Sequence, residues 1–183
     1  VSGPPGSILP LFAEWGGACV VLPSFPPPAE LLAAGPDGIV LSDGPGDPWD
    51  NPEIIEIIRE LMQSGKPLFG WGLGHQLLAV ANGFRIEKLP VGHRGSNQPV
   101  RHVETLRVMT TEQNHGYAVA LDSIDPDRAD AFLRNVNDGT VEGIRYKMMP
   151  AMTVQFEPSS GRGYQDTAWV FEEFAAMLKK SRG

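Results

Sequence analysis

Along the chain, short continuous apolar runs alternate with stretches whose apolar residues fall three and four apart, and Gly, Pro, Asn and Asp mark the joins. Residues 18–22 (Ala-Cys-Val-Val-Leu), 38–41 (Gly-Ile-Val-Leu) and the run opening at Lys66-Pro67-Leu68-Phe69 each predict a short buried strand. Between them, residues 7–15 and 29–33 predict short helices, Pro10 fitting only the first turn of its helix. The clearest helix is expected over residues 51–64. Asn51 is placed to cap it, Pro52 suits its first position, Gly65 can close it, and Ile54, Ile55, Ile58, Leu61 and Met62 form one apolar face. This strand–helix alternation with short joins predicts an α/β fold: an open, mostly parallel sheet with helices on both faces. Beyond Gly83 the period changes to two. Residues 84–88, 98–102, 106–110, 143–146 and 152–156 are expected to add antiparallel strands, and residues 166–180 a last helix, capped by Asp166 and burying Val170, Phe171, Phe174, Met177 and Leu178.

Length and composition narrow the classes without naming a function. The 183 residues suit a single domain spanning 1–183, and 42% apolar with 20% charged residues is ordinary for a folded chain. A formal charge of −7 argues against nucleic acid or an anionic membrane as the main partner. No apolar run reaches the roughly 20 residues of a membrane span, and no signal-peptide pattern opens the chain, so a cytoplasmic location is expected. Cys19 is the only cysteine; it falls inside an apolar run, which predicts a buried, inert thiol. Because the first residue is Val1 rather than Met, the chain is expected to be a piece of a longer polypeptide.

Candidate chemistry gathers at Phe69-Gly70-Trp71-Gly72-Leu73-Gly74-His75-Gln76, where a strand is expected to turn directly into a helix. Such a turn lifts one residue to a crest beneath the N–H groups of the helix start, a position enzymes use for a nucleophile. Here the crest residue is Gly72, which offers no attacking atom. Three further stretches should meet it at the same end of the sheet: 42–48 (Ser-Asp-Gly-Pro-Gly-Asp-Pro), 112–117 (Glu-Gln-Asn-His-Gly-Tyr) and 154–159 (Val-Gln-Phe-Glu-Pro-Ser).

Taken together, these stretches resemble the class I (triad) glutamine amidotransferases, most closely the glutaminase domain of the carbamoyl phosphate synthetase small subunit. Residues 92–100 and 137–143 support the resemblance, which runs from about Gly38 to the C-terminus. It implies a flavodoxin-like fold with a Cys-His-Glu triad. Aligned motif by motif, the cysteine falls on Gly72, the histidine on Glu157 and the glutamate on Ser159, so every triad position departs from the pattern. Nucleophilic amide hydrolysis needs an attacking atom, a base and a group that orients the base. The resemblance therefore predicts the fold of a glutaminase without glutamine hydrolysis. By the same resemblance Gly44, Gly46 and the N–H of Leu73 correspond to the oxyanion-stabilising elements, and Gln76, Asn114, Gly116 and Tyr117 to the glutamine pocket.

Plainer readings apply to several of these residues. Glycine at a strained crest is stabilising in itself, by roughly 1–3 kcal/mol relative to residues with a side chain. His75 and His115 lie in motifs whose histidines are mostly structural, and Asp47 and Asp50 read as turn and capping groups. The four histidines show no metal-ligand spacing, and neither a metal nor a cofactor is expected. The leading expectation is a structural or regulatory partner of a carbamoyl-phosphate-synthetase-like large subunit or fused synthetase domain that uses free ammonia. The alternatives are a module that binds glutamine or a similar small molecule, and a repurposed enzyme relying on Glu157.

Overall fold

The computed structural model describes residues 17–22, 26–158 and 164–181. Pro28 begins helix α1 (Pro28–Ala33), and strand β1 (Ile39–Leu41) follows. Pro52 opens α2 (Pro52–Met62), whose Ile55, Ile58 and Leu61 are buried and whose Ile54 and Met62 pack at the margin of the same core. Asn51 makes no capping bond to this helix; its amide instead donates to the Asp47 carbonyl at 3.0 Å, leaving the fixed φ of Pro52 as the start signal. Strand β2 (Leu68–Trp71) is buried throughout, and α3 (Leu73–Ala81) begins one residue later.

The remaining strands are β3 (Ile86–His102), β4 (Val108–Val119), β5 (Ala129–Asn135), β6 (Val141–Tyr146) and β7 (Ala151–Val154), followed by α4 (Tyr164–Thr167) and α5 (Trp169–Ser181). Among the described residues the strands form one open seven-stranded sheet in the order β1-β2-β7-β6-β5-β3-β4. β1, β2 and β7 run parallel, and the other pairings are antiparallel. On one face the core gathers around α2 and α3; on the other, Phe69, Met152, Val154 and Phe156 pack against Val170, Phe171 and Phe174 of α5. The α/β architecture with helices on both faces and added antiparallel strands is thus as the sequence implies.

Several details differ from the sequence expectation. Residues 18–22 form no strand: Cys19 is exposed and Val20 is 80% exposed. Among the described residues β1 ends the strand order and forms no ladder with this run, and an apolar stretch becomes a strand only when its backbone groups find partners. The segments expected at 84–88 and 98–102 are one long strand, β3, paired with β4 as a bent ribbon whose register shifts between Lys88 and His93 and between Gly95 and Gln98. β5, absent from the expectation, alternates irregularly because its pairing with β6 shifts near Leu133. The last helix is broken at Ala168. Asp166 sits inside α4, its carboxylate accepting from the Thr110 N–H at 3.3 Å, while Trp169 packs against Phe132 and His102. Residues 7–15 and Ser159 lie outside the described residues.

The bend in the β3–β4 ribbon positions the site. It carries the middle of β4 back across the sheet, so that Glu112 bridges Glu157 just beyond the end of β7. The ribbon thereby faces the β2–α3 turn.

Candidate functional site

The turn is held by close packing. Gly72 has φ +54° and ψ −118°, and its N–H donates to the Val154 carbonyl at 3.1 Å. That φ is strained for any residue with a Cβ. Two residues on, a Cβ at Gly74 would lie 2.2 Å from the Leu41 carbonyl oxygen, so only glycine lets α3 approach β1 this closely. The sequence expectation of a sharp strand-to-helix crest at Gly72 is met in full.

What stands above the crest is a carboxylate. A Cβ at Gly72 would fall 2.1 Å from Oδ1 of Asp43, so the Asp43 side chain fills the space a crest side chain would enter. The Leu73 N–H donates to the same Oδ1 at 2.7 Å. This corrects the picture of Leu73 as a donor waiting for an oxyanion: the group is engaged within the chain. The helix start provides an N–H and a positive dipole end, and a neighbouring carboxylate satisfies both. Sequence reasoning passed over Asp43. Its signal was an acidic residue on the loop after β1, at the end of the sheet where α3 begins.

Glu157, at the position aligned with the family's histidine, accepts a hydrogen bond from Trp71 Nε1 at 2.9 Å, and its N–H donates to the Glu112 carbonyl. The Trp71 ring that holds Glu157 also stacks on Phe69. Gly44, Gly46, Gly72, Leu73, Gln76, Asn114, Gly116, Tyr117 and Glu157 all line one cavity of about 580 Å³. The four stretches singled out in the sequence therefore do converge. Gln76 is tied down there, its amide donating to the Tyr117 carbonyl and to Gln155 Oε1, both at 3.0 Å. The Tyr117 hydroxyl donates to Asp47 Oδ2 at 2.7 Å, which raises the phenol above its ordinary pKa. Asp47 also caps the short helical turn at Pro48–Asp50 by accepting from the Trp49 N–H, as its turn reading predicts.

The histidines divide sharply. His75 is completely buried against the Thr153 hydroxyl (2.8 Å), and burial, with the neighbouring charge of His115 adding, lowers its pKa to about 3. It is a neutral packing residue. His93 lies between Asp138 (2.8 Å), the Gln113 amide oxygen (3.0 Å) and Glu142 (3.4 Å). The bond to Glu142 above all, helped by Asp138 and opposed by burial, pushes its pKa up to about 9. His115, across the ribbon, is lowered by burial, which outweighs the pull of Glu142. Glu142 itself is fully buried and accepts from Gln113 and Asn135, both at 2.9 Å.

A profile of the glutamine amidotransferase class-I family matches residues 7–177. The chain is 47% identical over 161 residues to the carbamoyl phosphate synthase small chain of Bacillus cereus, a match covering 87% of this chain and 44% of that protein. To the carbamoyl phosphate synthase small chain of Methanopyrus kandleri it is 45% identical over 174 residues, covering 95% of this chain and 48% of that protein. It thus spans about half the length of these curated relatives. Among solved structures, a Thermoplasma acidophilum protein assigned to GMP synthase superposes with a TM-score of 0.84 over 99% of this chain and 92% of that one. At 20% identity that likeness is one of fold.

Proposed function

The chain belongs to the class I glutamine amidotransferase family, and on that premise we propose that it is a member without glutamine hydrolysis, acting as a structural or regulatory partner of an ammonia-using, carbamoyl-phosphate-synthetase-like large subunit in the cytoplasm. The observation that carries this reading is the Asp43 carboxylate above Gly72, bonded to the Leu73 N–H. The crest has no attacking atom, the space for one is taken, and the helix-start donor already has an acceptor. Glu157 offers a carboxylate where the family has imidazole, and the crest beside it supplies no nucleophile among the described residues. Losing one triad member alone lowers the rate by several orders of magnitude. The 45–47% identity to carbamoyl phosphate synthase small chains supports a synthetase as the partner class.

The test is an ammonia-release assay with glutamine, run beside labelling by a glutamine-mimicking electrophile. No release above background and no adduct at the crest are expected. Either signal overturns the reading. Co-purification with a synthetase large subunit tests the partner: its absence across salt conditions, with the full-length polypeptide as bait, removes the partner role.

A second reading, a module that binds glutamine or a similar small molecule, is favoured by one observation. Gln155, 3% exposed in the cavity wall, has an amide N–H with no hydrogen-bond partner among the described residues. A ligand oxygen would satisfy it. Calorimetry with glutamine at millimolar concentration decides: absence of heat removes this reading.

A further inference from the structure

We propose that His93, His115 and Glu142 form a binding site for a divalent transition metal ion of the zinc class, set behind the stretch of cavity wall that His115 lines. This inference does not rest on the loss of amide hydrolysis. Strands β3, β4 and β6 deliver one residue each, with donor atoms all within 4.8 Å of one another. His93 Nδ1 and Glu142 Oε1 are 3.4 Å apart, close to the roughly 3.4 Å edge of a tetrahedron built on bonds of about 2.0–2.1 Å. No spacing rule finds such a trio in the sequence, because His93 and His115 are partners across the ribbon and Glu142 comes from a third strand.

The hydrogen bonds point the same way. The outer nitrogen of each ring faces an oxygen: His93 Nε2 lies 2.8 Å from the Asp138 carboxylate, and His115 Nδ1 lies 2.8 Å from the Tyr117 carbonyl. Imidazoles that ligate metals hold their outer N–H in this way. The inner nitrogens, His93 Nδ1 and His115 Nε2, face the same amide oxygen of Gln113 at 3.0 and 2.9 Å. That amide cannot reverse without loss, since its NH₂ donates to Glu142 (2.9 Å) and to Thr111 (3.0 Å). A neutral imidazole has one N–H. As a neutral ring His115 therefore meets an oxygen acceptor at both nitrogens with a single proton to give. A cation between the inner nitrogens removes that conflict. It would gain two neutral imidazoles, the buried Glu142 carboxylate and the Gln113 amide oxygen as a further donor within reach. The exchange balances simply: the metal ion enters and the inner proton of His93 leaves to solvent.

The test uses EDTA-treated protein titrated with Co²⁺. Visible d–d absorption of tetrahedral intensity is expected, reaching one ion per chain, and Zn²⁺ should bleach it. His115→Asn and Glu142→Gln, each checked for folding by circular dichroism, should weaken binding by about tenfold or more. His102→Asn, outside the cluster, should leave the titration unchanged. A protein that shows no such bands, or that binds cobalt equally well with His115→Asn and with Glu142→Gln, overturns the proposal.

Discussion

At the crest, Asp43, Gly72 and Leu73 keep the backbone path of a nucleophile turn and carry none of its chemistry. Across the cavity, Gln113 of the ribbon bonds to Glu142 of β6, which also accepts from Asn135 of β5, a dense hydrogen-bonded network, while Gly46 and Gly116 leave open space in the cavity wall. The difference lies in what each region depends on. The crest path is set by α3 closing on β1, so it survives any change that leaves the glycines small. Reactivity at the same place depends on single atoms, and one substitution removes it. The wall is a network in which each partner fixes the next, so its members hold together.

The sharpest way to break this comparison is to add one methyl group on each side. Gly74→Ala places a Cβ against the Leu41 carbonyl oxygen and should cost about 3 kcal/mol, read by urea denaturation. Gly116→Ala, with nothing within 4 Å of its Cβ, should shift stability by less than about 0.5 kcal/mol. Similar losses at the two sites would mean the crest is not the tightly packed region.

A smaller effect tests whether Asp43 occupies the crest energetically as well as sterically. Gly72→Ala should cost about 2 kcal/mol, from its positive φ and from displacing the carboxylate. In an Asp43→Ala background only the backbone part should remain, giving a coupling of about 1 kcal/mol in the double-mutant cycle. Strict additivity would mean Asp43 swings away freely and does not block the site.

His75, beneath the crest, gives a pH signature. Its folded pKa of about 3 lies below the roughly 6.5 of an unfolded histidine, so below pH ~6.5 the unfolded chain takes up a proton that the folded chain refuses. Stability should therefore fall as pH drops from about 6.5 towards 3, by at most about 1.4 kcal/mol per pH unit from this group. Denaturation curves of EDTA-treated protein across that range should flatten with His75→Gln. An unchanged acid limb in the variant would place the sensitivity elsewhere.

How much of this was legible in the sequence follows the same division. The helix 51–64 and the strand–turn–helix around Gly72 were readable because period, Pro52 and the glycine spacing agree locally. Residues 18–22 misled because apolarity alone does not supply a strand partner, and the final helix misled because Trp169 turns the chain at Ala168 to pack on Phe132. Within the site, the cavity stretches were named correctly. Asp43 and the His93–His115–Glu142 trio were missed because their meaning comes from residues distant in the chain, Asp43 from Leu73 and His93 from His115 and Glu142, brought close by the ribbon pairing and the sheet end.

The smallest expected effect probes the link between the two regions. Tyr117 on the ribbon donates its hydroxyl to Asp47 Oδ2, while Asp47 Oδ1 accepts from the Trp49 N–H on the crest side. One carboxylate thus serves a cross-cavity bond with one oxygen and a local cap with the other. Tyr117→Phe removes only the first and should lower stability slightly, since the partly exposed carboxylate regains water. Asp47→Ala removes both and should cost about 1 kcal/mol more, the usual loss for a helix-start cap. Equal losses for the two variants would mean the cap contributes nothing and that crest and ribbon are joined by the phenol bond alone.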